Sequence, residues 1–147
     1  MDNQPAQVLL VEDNDDHAEL VIRQLSEHSI PARLIRVSDG QEALDYLLHN
    51  GKYTDPAGSP RPHVIFLDLR LPKVDGLEVI KVIKESEELR KIPIVVLTTS
   101  DAERDVTRAY VYHANSYVVK PVDFQKFRDL MNELGIYWLN WNTRPSN

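Results

Sequence analysis

The stretch HVIFLD at residues 63–68 decides the fold of this chain. Five mostly apolar residues, several of them β-branched or aromatic, run directly into the carboxylate of Asp68. A short continuous apolar run of this kind is typical of a strand buried on both faces of a parallel sheet. Because ligands of open parallel sheets bind outside the carboxyl ends of the strands, we predict that Asp68 lies where the chemistry occurs.

Four more short apolar segments, each followed by a helical pattern, extend this prediction along the chain. The five alternations of strand and helix indicate an α/β fold, a three-layer sandwich with right-handed crossovers. For a (βα)5 chain we expect the flavodoxin-like parallel sheet with strand order 2-1-3-4-5. Ser100 and Glu103 have the spacing of a capping box and predict the start of the fourth helix. The other strands are predicted over residues 7–11, 34–37, 93–97 and 116–119.

Composition limits the class of protein. A chain of 147 residues is long enough for a real core, and we expect a single domain over 1–147. The net charge is −6 with no basic stripe, which argues against nucleic-acid binding. No cysteine is present, so disulfides and thiol chemistry are excluded. Residues 1–4 lack signal-peptide character and no apolar run reaches membrane-spanning length, so we expect a cytoplasmic protein without membrane contact.

Polar side chains follow four of the predicted strands at the points where those strands end. In the expected strand order, four of these strands are neighbours, so their polar ends converge on one rim of the sheet. Three carboxylates held together raise one another's pKa unless a proton or a cation joins them. Oxygen ligands with room for water suit Mg²⁺. The converging residues are Glu12 and Asp13 after the first strand, Asp68 after the third, Thr98 after the fourth and Lys120 after the fifth.

This set of residues fits a site that makes and holds an acyl phosphate on Asp68. A carboxylate can act as the nucleophile in phosphoryl transfer. A metal ion and Lys120 would offset the charge of the phosphoryl oxygens, and the Thr98 hydroxyl would donate to one of them. Each residue also has a structural interpretation, since a strand-end carboxylate often caps a loop and acids before a helix complement its dipole. Their coincidence at four strand ends favours the site.

Four motifs show a resemblance to a known family. They are LLVED at 9–13, DLRLPKVDG at 68–76, LTT at 97–99 and YVVKP at 117–121. With these motifs the chain resembles the receiver domains of response regulators in two-component signalling. The resemblance covers residues 6–134 and leaves 135–142 as an aromatic extension of the last helix.

The resemblance implies a phosphoacceptor and a metal site. Asp68 would accept a phosphoryl group from a sensor histidine kinase. Mg²⁺ or Mn²⁺ would be held by Asp13, Asp68 and the backbone carbonyl of Arg70, with Glu12 binding directly or through water. The protein would then be a signalling switch rather than a turnover enzyme, limited to Mg²⁺-dependent self-phosphorylation and slow autodephosphorylation.

The resemblance also implies a conformational switch. Thr98 would be the switch hydroxyl and bind the phosphoryl group together with Lys120, and Tyr117 would be the aromatic switch. The peptide bond between Lys120 and Pro121 would be cis, which an X–Pro bond permits at low cost. Gly76 would shape the loop without a chemical role.

Within the family, the chain is similar to the small stand-alone regulators that pair with bacterial phytochromes. The features that carry this similarity are the long loop at 49–62, TTSD at 98–101 and YWLNW at 137–141. The resemblance implies a phytochrome-type histidine kinase as partner. Because we expect no output domain after the last helix, the output would be protein–protein contact, with a downstream phosphotransfer protein as a further partner.

Two other functions fit the fold less well. A Mg²⁺-dependent phosphatase with an aspartate nucleophile often has a second acid two residues later, where this chain has Arg70, which cannot accept a proton. A flavin-binding module needs a phosphate-cradling loop after the first strand, and the four acids in the segment EDNDD at 12–16 would repel a phosphate.

The last helix, predicted to begin at Asp123, keeps apolar spacing beyond the point where a receiver core is complete. Large aromatic residues there predict an exposed apolar patch, and such patches mark interaction sites. We expect a two-fold homodimer through the fourth helix, the fifth strand and the last helix. The alternative is that the tail folds back on its own domain. The predicted partner face comprises Tyr110, Tyr112, Phe127, Trp138 and Trp141.

Overall fold

A computed structural model of the chain describes residues 5–27 and 32–144. The residues 1–4, on which the expected lack of a signal peptide rests, lie outside this part. Strands and helices alternate as the sequence predicts. The strands are β1 (Ala6–Val11), β2 (Ala32–Val37), β3 (Val64–Leu67), β4 (Ile94–Thr98) and β5 (Ser116–Val119), and the helices are α1 (Asp15–Ser26), α2 (Gly40–Leu48), α3 (Gly76–Glu85), α4 (Glu103–Val111) and α5 (Phe124–Gly135).

The five strands form one parallel sheet in the order β2-β1-β3-β4-β5, which confirms the predicted flavodoxin-like topology. Leu67 at the end of β3 is level with Val11 of β1 and Val96 of β4. Thr98 at the end of β4 is level with Val119 of β5. This register brings the carboxyl ends of the four strands to the same edge of the sheet.

The apolar side chains of the strands alternate between two cores, as a sheet covered on both faces requires. On one face, Leu9, Ile65 and Val96 pack with the buried residues of α2, α3 and α4. On the other face, Leu10 and Phe66 pack with the buried residues of α1 and α5. The three-layer sandwich is thereby confirmed.

Side-chain caps begin most of the helices, but not α4. Asn14 and Asp123 accept hydrogen bonds from the backbone N–H three residues ahead, at the starts of α1 and α5. The predicted capping box of Ser100 with Glu103 is wrong, because α4 begins at Glu103 after an N-cap alanine. The Ser100 hydroxyl instead donates to the Asp105 carboxylate at 2.6 Å.

The predicted cis bond before Pro121 is also wrong, since no cis peptide bond occurs among the described residues. Either isomer is accessible to an X–Pro bond, because trans is favoured by only about 0.5–1 kcal/mol, so the motif by itself does not fix the isomer.

The last helix continues past α5 as a π-helical extension over Ile136–Trp141. Leu139 is buried and the half-buried Trp138 packs beside it on the core that α1 and α5 share. Trp141 remains 76% exposed. The tail therefore folds back in part and leaves one large aromatic side chain at the surface.

Within the part of the chain that the structure describes, no helix is long and apolar enough to cross a membrane.

Candidate functional site

The carboxyl edge of the sheet brings the predicted polar residues together. The backbone N–H of Asp68 donates to the carbonyl of Val11 at 3.0 Å, so the third strand end is fixed beside the first. The backbone N–H of Lys120 donates to the carbonyl of Thr98 at 2.7 Å, so the fifth strand end is fixed beside the fourth. Main-chain bonds at the strand ends thus set the positions of the side chains.

The Lys120 ammonium lies at the centre of the site and is buried. It donates to Oδ2 of Asp68 at 2.9 Å and makes a short ion pair with Oε1 of Glu12. Because both carboxylates are also buried, their charges are compensated inside the protein rather than by water. Burial raises the pKa of the Glu12 carboxyl, and the bond from Lys120 opposes that rise.

The acids at this edge fit a hard divalent cation. One oxygen each of Glu12, Asp13 and Asp68 lie within 4.8 Å of one another. Asp13 is exposed, so water can complete the coordination shell, as Mg²⁺ requires. The backbone N–H of Arg70 donates to Oδ1 of Asp68 at 3.2 Å, which places the main chain of Arg70 beside the same carboxylate.

The two predicted switch residues lie on neighbouring strands. Thr98 is fully buried, and its hydroxyl oxygen lies 3.4 Å from the backbone N–H of Ser100. The Tyr117 hydroxyl donates to the carbonyl of Ser100 at 2.7 Å. Both residues therefore contact the loop after β4, Thr98 at the backbone N–H of Ser100 and Tyr117 at its carbonyl oxygen.

Two contacts of the site were not predicted from the sequence. His17, in the first turn of α1, reaches Lys120, with Nδ1 3.0 Å from Nζ. Arg70 forms an ion pair with the buried carboxylate of Asp105 on α4. A signal for His17 was present, since a polar residue in the first turn after β1 lies above the carboxyl edge of the sheet.

The predicted partner face is only partly exposed. Phe127 was placed on it wrongly, because this side chain is buried between α5 and α1 and packs edge-on against His17. Tyr112 and Trp138 are half-buried against the domain's own cores. Tyr110 and Trp141 are exposed. Helical spacing alone did not distinguish the core side of α5 from the surface.

The sequence and the fold match known proteins over almost their whole length. The model of the "Response regulator receiver domain" family matches residues 8–132. The chain is 48% identical over 142 residues to "Probable methanogenesis regulatory protein FilR2" of Methanothrix harundinacea, which covers 96% of this chain and 88% of that protein. It is 40% identical over 144 residues to response regulator Rcp1 of Synechocystis, which covers 98% and 96%.

Solved structures of response regulators have the same fold as this chain. The Mn²⁺-bound form of Rcp1 has a TM-score of 0.92 and 39% identity, covering 97% of this chain and 100% of that one. The phosphorylated cyanobacterial phytochrome response regulator RcpA has the same TM-score at 37% identity, with the same coverage. These relatives give no support to the phosphatase alternative. The chain belongs to the family of response regulator receiver domains.

Proposed function

We propose that this protein is a stand-alone response regulator that accepts a phosphoryl group on Asp68 from a sensor histidine kinase. The observation that carries the proposal is the contact of the buried Lys120 ammonium with Oδ2 of Asp68, beside the acids Glu12 and Asp13. The Lys120 ammonium, the Asp68 carboxylate and two further acids thus lie together at one edge of the sheet, which supports a phosphoryl-transfer site there.

In the proposed reaction, an oxygen of the Asp68 carboxylate attacks the phosphorus of a phosphohistidine. A P–O bond to Asp68 forms, the P–N bond breaks, and the imidazole of the kinase leaves with a proton from solvent. Asp13, Asp68, the Arg70 carbonyl and Glu12 would hold Mg²⁺ or Mn²⁺, which would neutralise charge on the transferring group. Lys120 would donate to a phosphoryl oxygen.

Labelling by a small acyl phosphate tests the acceptor. With Mg²⁺ and acetyl phosphate, intact mass spectrometry should show one added phosphoryl group, and Asp68→Asn should abolish it. Asp15→Asn is the matched control, because the Asp15 carboxylate is exposed and pairs with Arg36 outside the acidic cluster. Unchanged labelling of the Asp68 variant would contradict the assignment.

Metal binding is tested separately. Asp13→Ala should weaken Mg²⁺ binding in titration calorimetry without unfolding the protein, since Asp13 is exposed and lies outside both cores. Wild-type affinity in this variant would place the ion elsewhere.

The switch proposal rests on the shared contacts of Thr98 and Tyr117 with Ser100. A phosphoryl group on Asp68 adds charge and acceptor oxygens, and it would draw the Thr98 hydroxyl towards it. Only such a differential contact can shift the population of two states. Phosphorylation should therefore change the NMR signals around Tyr117, and Thr98→Ala should reduce that change. An identical response in the variant would contradict the coupling.

The proposed kinase is of the phytochrome type, because the relative RcpA is described as a cyanobacterial phytochrome response regulator. FilR2, which is 48% identical to this chain, is named instead for the regulation of methanogenesis. Phosphotransfer profiling against the purified histidine kinases of the host would distinguish the two. A preferred phytochrome kinase would support the pairing, and a preferred kinase of another class would overturn it. The histidine kinase needs ATP to phosphorylate its own histidine, so the proposed compartment is the cytoplasm.

The proposed output is protein contact, either in a homodimer or with a downstream phosphotransfer protein. The exposed Tyr110, Tyr137 and Trp141 on α4 and the π-helical extension support an apolar partner face. Sedimentation should show a dimer that Trp141→Ser weakens. This change leaves the buried Leu139 in place, whereas a chain ending at Leu134 would also open the core. Equal monomer fractions in wild type and Trp141→Ser, with and without phosphorylation, would exclude Trp141 from a dimer.

A further inference from the structure

His17 lies against the buried lysine of the site, although no strand end supplies it. Its Nδ1 is 3.0 Å from Nζ of Lys120, a residue 103 positions away in the sequence. The ring packs edge-on against Phe127, with the ring centroids 5.5 Å apart. The imidazole is therefore held between α5 and the ammonium, rather than extended into solvent.

With His17 included, the ammonium of Lys120 has an acceptor for each of its three N–H groups. Oε1 of Glu12, Oδ2 of Asp68 and Nδ1 of His17 are the three partners. A protonated amine only donates, so Nδ1 must carry the lone pair and the ring proton must be on Nε2. A fully satisfied buried ammonium is fixed in direction, whereas one with a missing acceptor can turn.

We propose that His17 is a positioning residue, which acts as the third acceptor of Lys120 and fixes its ammonium beside the carboxylate of Asp68. This inference rests on the proposed function of Asp68 as the phosphoacceptor. It assigns to His17 no contact with the phosphoryl group itself.

The direction of the ammonium matters because both of its other partners are acids. Without His17, the ammonium is free to turn towards Glu12, with which it also forms an ion pair. The N–H group that should meet the incoming phosphoryl oxygen would then be less often in place. The His17 ring, packed on Phe127, holds the third acceptor in place.

Two variants separate the effect of the hydrogen-bond acceptor on labelling from the effect of the shape of the side chain. His17→Asn retains an acceptor, because its Oδ1 can take the position of Nδ1, while His17→Leu retains bulk against Phe127 without any acceptor. In the labelling of Asp68 by acetyl phosphate with Mg²⁺, we expect His17→Leu to be about tenfold slower than wild type, as for the loss of one hydrogen bond to a charged group. We expect His17→Asn to stay within about twofold.

A spectroscopic measurement tests the contact independently of phosphorylation. The ¹⁵N spectrum of the His17 ring in the unmodified protein should show an unprotonated Nδ1 and a proton on Nε2. Lys120→Met should shift the Nδ1 signal, because the donor is removed. A proton on Nδ1 in wild type, or no shift in Lys120→Met, would overturn the inference even if His17→Leu failed to fold.

The outcomes also separate this inference from the proposed function. If wild type is not labelled at Asp68, the proposed function fails, whatever the ¹⁵N spectrum shows. If wild type is labelled and folded His17→Leu is labelled at the same rate, the positioning role fails while the phosphoacceptor stands. Equal slowing in His17→Asn and His17→Leu would also overturn it, because the acceptor would then not be what matters.

Discussion

The guanidinium of Arg70 forms an ion pair with the carboxylate of Asp105, which lies 35 positions further along the chain. The side chain of Asp105 is 4% exposed, whereas that of Arg70 is 54% exposed. The Ser100 hydroxyl donates to the same carboxylate oxygen at 2.6 Å. One buried carboxylate on α4 therefore accepts bonds from both the loop after Asp68 and the loop after β4, and so connects the three segments.

Arg70→Met should lower the free energy of unfolding by about 1–3 kcal/mol, because a buried carboxylate loses its charged partner. Ser100 would remain as a donor, which limits the loss. Urea denaturation followed by circular dichroism would measure this change in the free energy of unfolding. Arg104→Met is a matched control, since Arg104 is an exposed arginine on α4, the helix that carries Asp105.

A double-mutant cycle identifies the partner of Arg70. In an Asp105→Asn background, Arg70→Met should cost less than it does in wild type, because the charge it compensated is gone. Equal costs in the two backgrounds would show that the ion pair contributes nothing.

Gly76→Ala should disturb the loop that follows Asp68. A Cβ at this position would lie 2.5 Å from the carbonyl oxygen of Asp68 and 2.6 Å from Cα of Leu69, so the backbone would have to move. We expect a loss of about 1–3 kcal/mol in the free energy of unfolding, as for other overpacked sites. Acetyl phosphate labelling of Asp68 should slow as well.

Gly58→Ala is the matched control for this substitution. The nearest atom to a Cβ there is 3.7 Å away, which is an ordinary contact. Its effect on stability should stay within about 0.5 kcal/mol. Equal losses for the two variants would contradict the steric explanation.

Tyr53→Phe should lower stability in a pH-dependent way. The Tyr53 hydroxyl donates to Oε2 of Glu42 at 2.6 Å. Burial opposes ionisation of Glu42, but the bonds from Tyr53, Ser38 and Lys52 outweigh it, so the Glu42 pKa lies below 4.5. A lowered pKa contributes stability that is present above the ordinary value and is lost as the pH falls through the folded value.

The stability difference between wild type and Tyr53→Phe should therefore be constant near neutral pH and narrow below about pH 4.5. It should narrow again in alkali, because burial and the bond to Glu42 raise the Tyr53 pKa above 10.0, and a raised pKa loses its contribution as the pH rises. Denaturation midpoints across the pH range would show both limits, with Tyr110→Phe, a change at an exposed tyrosine, as control. A difference that does not vary with pH would contradict the role of Glu42.

Lys84→Met should destabilise the far end of the sheet. The Lys84 ammonium donates to the carbonyls of Arg90 and Ile92, at 2.8 and 3.0 Å, and to Oδ1 of Asn115 at 3.2 Å. These bonds join α3 to the loops that precede β4 and β5. Removing the ammonium leaves three acceptors without this donor, so we expect a loss of about 1–3 kcal/mol in the free energy of unfolding.

The control for Lys84 is Lys81→Met, at an exposed position of the same helix. Its effect should stay within about 0.5 kcal/mol in the same denaturation experiment. If both methionine variants unfolded at the same urea concentration, the three bonds of Lys84 would not contribute to stability.

Local patterns were enough to predict the sheet and the residues at its carboxyl edge. Buried parallel strands need continuous apolar runs, and in this topology their ends must meet, so Asp68, Glu12 and Lys120 could be placed together from the sequence. In the structure, Lys120 contacts both Glu12 and Asp68.

Helical spacing was a weaker guide at the end of the chain. Phe127 and Trp141 fall on one apolar stripe of a regular α-helix, so both were predicted on the same face. The chain changes to wider π-helical turns over Ile136–Trp141, with the Asn142 N–H bonded to the Tyr137 carbonyl. Phe127 is buried and Trp141 is exposed, because the change of helix type alters the direction of the later side chains.

The sequence by itself determined the order of strands and helices, the family and the acids of the site, because each depends on patterns within a few neighbouring residues. Only the tertiary structure decided that His17 meets Lys120, that Arg70 meets Asp105 and that the bond before Pro121 is trans. The two contacts join residues far apart in the chain, and the isomers of an X–Pro bond differ by only about 0.5–1 kcal/mol. Such outcomes depend on how helices and loops pack across the sheet, which no local pattern specifies.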